Sequence, residues 1–194
     1  MGKRAEAHKK LTAKLLAVAF DRVENFGLEQ LRARDVTNDA GCALGTLYKC
    51  YDDLDDLIIH VNSKTLGMMK EALGNAGANI SDPGDALKAL ALAYLDFAVQ
   101  KKNLWSAVFK HRLHENETTP EWHQQENMVL LDLISKPMSK INPELDNQQL
   151  QVRSRTYFAA VHGIVSISLQ DRFISLSGDA LRDELEHFVE RLAS

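Results

Sequence analysis

The sequence predicts an all-α protein of about nine helices: an N-terminal three-helix head containing a helix-turn-helix, and a larger helical C-terminal body. Three observations carry that prediction. Apolar residues recur at three- and four-residue steps through most of the chain, and alternating β-branched runs are missing. The 194 residues are 45% hydrophobic and 26% charged, an ordinary globular composition and length enough to bury one or two cores. Residues 31–51 read as two short helices meeting at a glycine turn.

In chain order, a first helix is expected from Glu6 to Phe26. Leu11, Leu15, Ala19 and Val23 repeat every four residues, Leu16 and Phe20 widen the stripe, and Gly27 ends it. In the helix-turn-helix, Leu31, Val36 and Ala40 face inward from one helix, Gly41 makes the turn, and Leu47 and Tyr51 face inward from the next. The outward face of that second helix offers Leu44, Gly45, Thr46, Tyr48 and Lys49, with no carboxylate to repel phosphate. Such a face suits a major groove.

Asp52 and Asp53 can cap a fourth helix with Leu54, Leu57, Ile58, Val61, Met68 and Leu73 inside, closing at residues 74–77. The domains are therefore expected at 1–53 and 54–194. Asp82 with Pro83 opens a fifth helix whose stripe is Leu87, Leu90, Tyr94, Leu95 and Val99. A sixth follows Asn103, and a seventh opens at Pro120, to be kinked or ended by Pro137. Residues 157–169 are apolar around nearly the whole helix circumference, so both sides need cover, one of them from a second copy of the chain. With the last helix, carrying Leu181, Leu185, Phe188, Val189 and Leu192, this gives a candidate dimer interface of Phe158, Val161, Ile164, Val165, Phe188 and Leu192.

Charge and composition narrow the function classes. The chain carries a net charge of −4, but its first 51 residues hold nine basic against six acidic side chains, leaving a basic head on an acidic body. Lys3, Arg4, Lys9 and Lys10 form a basic N-terminal arm. The two cysteines, Cys42 and Cys50, exclude a disulfide scaffold and read as small buried hydrophobes. Neither a signal-like segment nor an 18-residue apolar run appears, so a cytoplasmic protein with no membrane partner is expected. His111, His114 and Glu115 have a spacing that can hold a divalent metal, but no second cluster completes it, so neither metal nor cofactor is expected. No nucleophile–base pairing or phosphate-cradling glycine loop points to an enzyme.

The pattern Gly27, Leu31, Asp35-Val36, Ala40-Gly41, Gly45-Thr46-Leu47-Tyr48 and Tyr51, over roughly residues 8–62, resembles the DNA-binding region of the TetR/AcrR family of bacterial transcriptional regulators. Residues 159–166, with the pair His162-Gly163, also look like the eighth helix of a subgroup marked by His-Gly. The resemblance implies a homodimer that reads a palindromic operator and is released by an unidentified small-molecule effector. It implies that Thr46, Tyr48 and Lys49 contact backbone and base edges, that Gly45 permits close approach, that Leu44 shares the face, and that Arg32 and Arg34 clamp a phosphate. It places the effector between the fifth and eighth helices, against Tyr94, Trp105, Phe109, Trp122, Met128 and His162.

Three positions depart from the family's pattern. Arg32 and Ala43 stand where the family has side-chain helix caps, each lost cap costing about 0.5–2 kcal/mol. Leu54 stands where it commonly has a lysine, among Asp52, Asp53, Asp55 and Asp56. These carboxylates either oppose DNA or serve the first turn of their own helix. The expected function is a ligand-responsive DNA-binding repressor; the alternative is a helical small-molecule-binding or interaction protein whose reading head has weakened or been lost.

Overall fold

The computed structural model describes residues 2–113, 118–170 and 175–192. Among them every regular element is helical: α1 (Lys3–Phe26), a 3-10 turn (Leu28–Gln30), α2 (Ala33–Asp39), α3 (Leu44–Leu47), α4 (Leu54–Gly77), α5 (Pro83–Gln100), α6 (Lys102–Lys110), α7 (Glu121–Ile141), α8 (Asn147–Ser168) and α9 (Gly178–Leu192). None of these helices is long and apolar enough to cross a membrane. The chain divides into two compact units, residues 1–67 with 101–123, and 68–100 with 124–194. The first unit thus reaches past residue 53 to Gly67 and takes in α6, because α6 packs on α1.

In the first unit, Leu15, Ala19 and Val23 of α1 are fully buried, and Gly27 leaves the helix at φ +82°, a conformation that favours glycine. The last turn of α1 then receives the start of α6. Asn103 donates its side-chain amide to the Glu24 carbonyl at 2.9 Å, and Lys101 pairs with the Glu24 carboxylate at 2.6 Å. Leu104, Trp105 and Ala107 are buried on the same side. α4 begins as expected: Asp53 accepts the Asp56 N–H at 2.7 Å, and Asp56 accepts the Asp52 N–H at 3.1 Å.

In the second unit, α5 packs against α8 and α9. Asp82 caps α5 by accepting the Asp85 N–H at 2.9 Å. α8 starts ten residues before its apolar stretch, at a reciprocal capping box between Asp146 and Gln149, whose Asp-x-x-Gln signature was there to be read. Its buried face is a single stripe, Ser154, Tyr157, Val161, Val165 and Ser168, and the Tyr157 hydroxyl donates to the Leu87 carbonyl of α5 at 2.6 Å. Leu181, Leu185 and Val189 of α9 close the core, while Lys88–Glu190 and Arg182–Asp96 bridge α5 to α9 outside it. Two expectations are corrected here. Of the two outcomes expected at Pro137, the ending does not occur: α7 continues to Ile141, with Pro137 and Met138 buried, since a proline removes only one backbone donor. Val99 is 55% exposed, because it falls on the open side of the last turn of α5, whose Phe97 and Ala98 are buried on the other side.

Candidate nucleic-acid interface and effector site

The helix-turn-helix segment is built on Leu31, Val36, Ala40, Leu47 and Tyr51, all nearly inaccessible to solvent. α2 ends in a Schellman motif: Gly41 sits at φ +65°, its N–H meets the Asn38 carbonyl at 3.0 Å, and the Cys42 N–H meets that of Thr37 at 2.9 Å. This left-handed residue sets the angle between α2 and α3. The Tyr51 hydroxyl donates to the Thr12 carbonyl of α1 at 3.0 Å, pinning the end of the reading segment; burial, then nearby Cys50 and Asp56, push this phenol up to about 12.

The outward face carries the expected residues. Arg32, Arg34, Gly45, Tyr48 and Lys49 are exposed, Leu44 and Thr46 half-buried, and Tyr48, 51% exposed, is no part of the core. A Cβ on Gly45 would meet nothing within 4 Å, so the chain's own packing does not require glycine there. Arg32 turns part of its guanidinium inward, donating to the carbonyls of Glu29 at 2.7 Å and Leu31 at 2.9 Å. Neither Arg32 nor Ala43 caps its helix through a side chain. The first N–H groups of α3 are therefore left to solvent or to an incoming anion.

Several carboxylates in the head are tied to partners within the chain, while Glu29 and Asp52 stay exposed. Arg22 of α1 pairs with both Asp35, at 3.2 Å, and Asp39, at 2.5 Å, an arrangement signalled by two acids four residues apart on α2. In the run from Asp52 to Asp56, Asp53 and Asp56 hold backbone N–H groups, Asp56 lies 3.6 Å from His60, and Asp55 takes the His111 ring nitrogen at 2.9 Å. Sequence reasoning missed His60 and His111 as partners. The signal was Asp56 and His60 at i, i+4.

The six expected effector residues fall into separate groups. Trp105 and Phe109 lie side by side in the first unit, rings 5.5 Å apart, and Trp122, in the same unit, stacks on His60 at 5.0 Å. In the second unit Met128 is exposed, whereas Tyr94 and His162 are brought together, sharing a hydrogen bond of 2.7 Å. Phe158, expected at a dimer interface, belongs to this cluster: its ring stacks on His162 at 5.8 Å and meets Tyr94 edge-on at 5.6 Å. Burial holds His162 below the usual imidazole range, so it is neutral at pH 7. Of the other expected interface residues, Val161 and Val165 are closed inside the unit, Ile164 and Phe188 are half-buried, and Leu192 is exposed. His114 and Glu115 lie outside the described residues, as does the side chain of Lys3. Cys42 and Cys50 are half-buried free thiols.

Comparison with known proteins gives one family and one fold. A family model described as "Tetracyclin repressor-like, C-terminal domain" matches residues 87–192. No curated protein matches the chain's sequence. Among solved structures, a protein of unknown function from Rhodococcus sp. RHA1 superposes with a TM-score of 0.74 at 20% identity, covering 93% of this chain and 94% of that one. RolR in complex with resorcinol superposes at 0.71 with 14% identity, covering 97% and 89%. The transcriptional regulator FadR from Bacillus subtilis, in complex with stearoyl-CoA, superposes at 0.67 with 15% identity, covering 94% and 97%. At these identities the likeness is one of fold.

Proposed function

The chain belongs to the tetracycline-repressor-like family of transcriptional regulators, and from that premise we propose that it is a DNA-binding repressor, homodimeric, and released from a palindromic operator by a small molecule. The observation that carries the reading is the outward face of α3 and of the turn that follows it, residues 44–49. Gly45 and half-buried Thr46 lie on α3, Tyr48 and Lys49 stand exposed just after it, and Arg34 stands exposed on α2; of the nearby carboxylates, Asp35 and Asp39 are held by Arg22, Asp53 and Asp56 accept backbone N–H groups at the start of α4, and Glu29 and Asp52 stay exposed. Lys49 and Arg34 supply phosphate contacts, and Tyr48 and Thr46 reach base edges.

Two copies place two heads on one face of the duplex, about 34–36 Å apart, one helical turn of DNA. Ile164, Phe188 and Leu192, with the exposed Val152 and Ile167 of α8, form the apolar surface available for that pairing. RolR and FadR were each solved with a small organic ligand, which supports an effector for this chain too, held in the second unit. α4 supplies residues to both units and is the element through which an effector changes the head spacing. The test is selection of bound duplexes from genomic fragments. The reading expects one enriched palindrome whose half-site centres lie about one DNA turn apart. Enrichment of no sequence over bulk DNA would reject it.

A further inference from the structure

The second unit contains a cleft that none of the six expected effector residues lines. It measures about 340 Å³ and lies between the end of α4, the α4–α5 turn, the start of α5 and the last two turns of α7. Leu73 and Leu90, both buried, form its floor, with half-buried Ile80 and Leu133 beside them. Pro83, Ala86 and Pro137 add further apolar wall. The polar lining is lopsided. Lys136 and Lys140, on successive turns of α7, are both exposed at the cleft, no lining residue is a carboxylate, and among the described residues neither lysine makes an ion pair.

A pocket with apolar walls and two cations at its edge selects a molecule with one apolar end and one anionic end. Two like charges at i, i+4 repel each other, and an anion lodged between them removes that repulsion. The volume limits size: at about 30 Å³ per water-sized group, the cleft holds roughly ten or eleven heavy atoms.

We propose that this cleft binds a medium-chain aliphatic carboxylate, its chain among Leu73, Ile80, Leu90 and Leu133 and its head group between Lys136 and Lys140. The assignment rests on the effector-responsive reading above and gives that effector a chemical class and a place. Leu90 lies one helical turn from Tyr94, so a chain seated on the floor is neighbour to the Tyr94–His162–Phe158 cluster.

The test is calorimetric titration of the full chain with octanoate, 1-octanol and octylamine. Wild type is expected to bind octanoate and not octylamine. The K136Q/K140Q variant, altered only at exposed positions, is expected to bind octanoate at least tenfold more weakly while its response to octanol is unchanged. Ala78→Trp, which covers the mouth from an exposed lining position, is expected to lose both. Octanoate affinity within twofold of wild type in K136Q/K140Q overturns the proposal, and so does the absence of octanoate binding to wild type at millimolar concentration. Duplex-DNA binding measured on the same preparations separates the two readings. Lysine-dependent octanoate binding without DNA binding leaves the cleft assigned and removes the regulator; operator binding without octanoate binding does the reverse.

Discussion

Gly45→Ala separates what the chain needs at this position from what DNA would need. Gly45 lies exposed on α3, its φ is not positive, and a Cβ there would meet no atom within 4 Å. Alanine therefore fits without strain. It removes conformational freedom from the unfolded chain and improves helix propensity, which together stabilise by about 0.4–1 kcal/mol. For a chain of this size that raises Tm by roughly 1–4 °C. If this face enters the groove as proposed, a methyl group on it should act oppositely on binding, weakening it at least tenfold, about 1.4 kcal/mol. Thermal unfolding by circular dichroism and fluorescence-anisotropy binding to a selected duplex read the two effects on one preparation. A variant that is more stable and binds as tightly as wild type would refute the close approach at Gly45. A lower Tm would refute the geometry assigned to α3.

Three further outcomes are expected. Asp53→Ala should lose the α4 cap and about 0.5–2 kcal/mol of stability, whereas Asp53→Asn keeps the cap and changes stability little; neither should alter DNA affinity more than threefold, and a tenfold gain in Asp53→Asn would put that carboxylate in the phosphate path. The half-buried His162 resists protonation, while the unfolded imidazole accepts a proton at its ordinary pKa, so stability should fall as pH drops from 7 toward 5; Tm against pH should flatten in His162→Gln. Tyr51 is raised to about 12, so its contribution is complete below pH 10 and is lost as pH climbs toward 12; burial also raises Tyr157, so chemical denaturation at pH 9, 10.5 and 12 should show a fall in wild type that is smaller, but still present, in Tyr51→Phe.

The features legible in the sequence are those decided locally. Gly41 at a Schellman turn, Asp82 before Pro83, and the alternation of Leu47 inside with Tyr48 outside depend on residues within a turn or two, and the structure places them accordingly. Apolar periodicity tells that a residue is buried without telling against what. Trp105 and Tyr94 carry the same signal, yet one is buried in the unit that holds the reading head and the other in the unit that holds α8. Phe158 and Val161 sit three residues apart in one apolar run, and only the register of α8 on α5, fixed by Tyr157, decides that Val161 is closed off while Phe158 stacks on His162. The pairing of Arg22 with Asp35 and Asp39 spans 13 and 17 residues, beyond any local pattern on the Arg22 side.

The most direct test of the regulator reading is the salt dependence of binding to a selected duplex for wild type, Tyr48→Ala and Lys49→Ala. Both residues are exposed, so both variants should fold. If the outward face of α3 and the turn after it read DNA, Tyr48→Ala should lose about 1–3 kcal/mol on the selected site and little on unrelated duplex, while Lys49→Ala should weaken binding to both and flatten the slope of log K against log salt by about one. Equal affinity of all three proteins, with one common salt slope, would contradict the account.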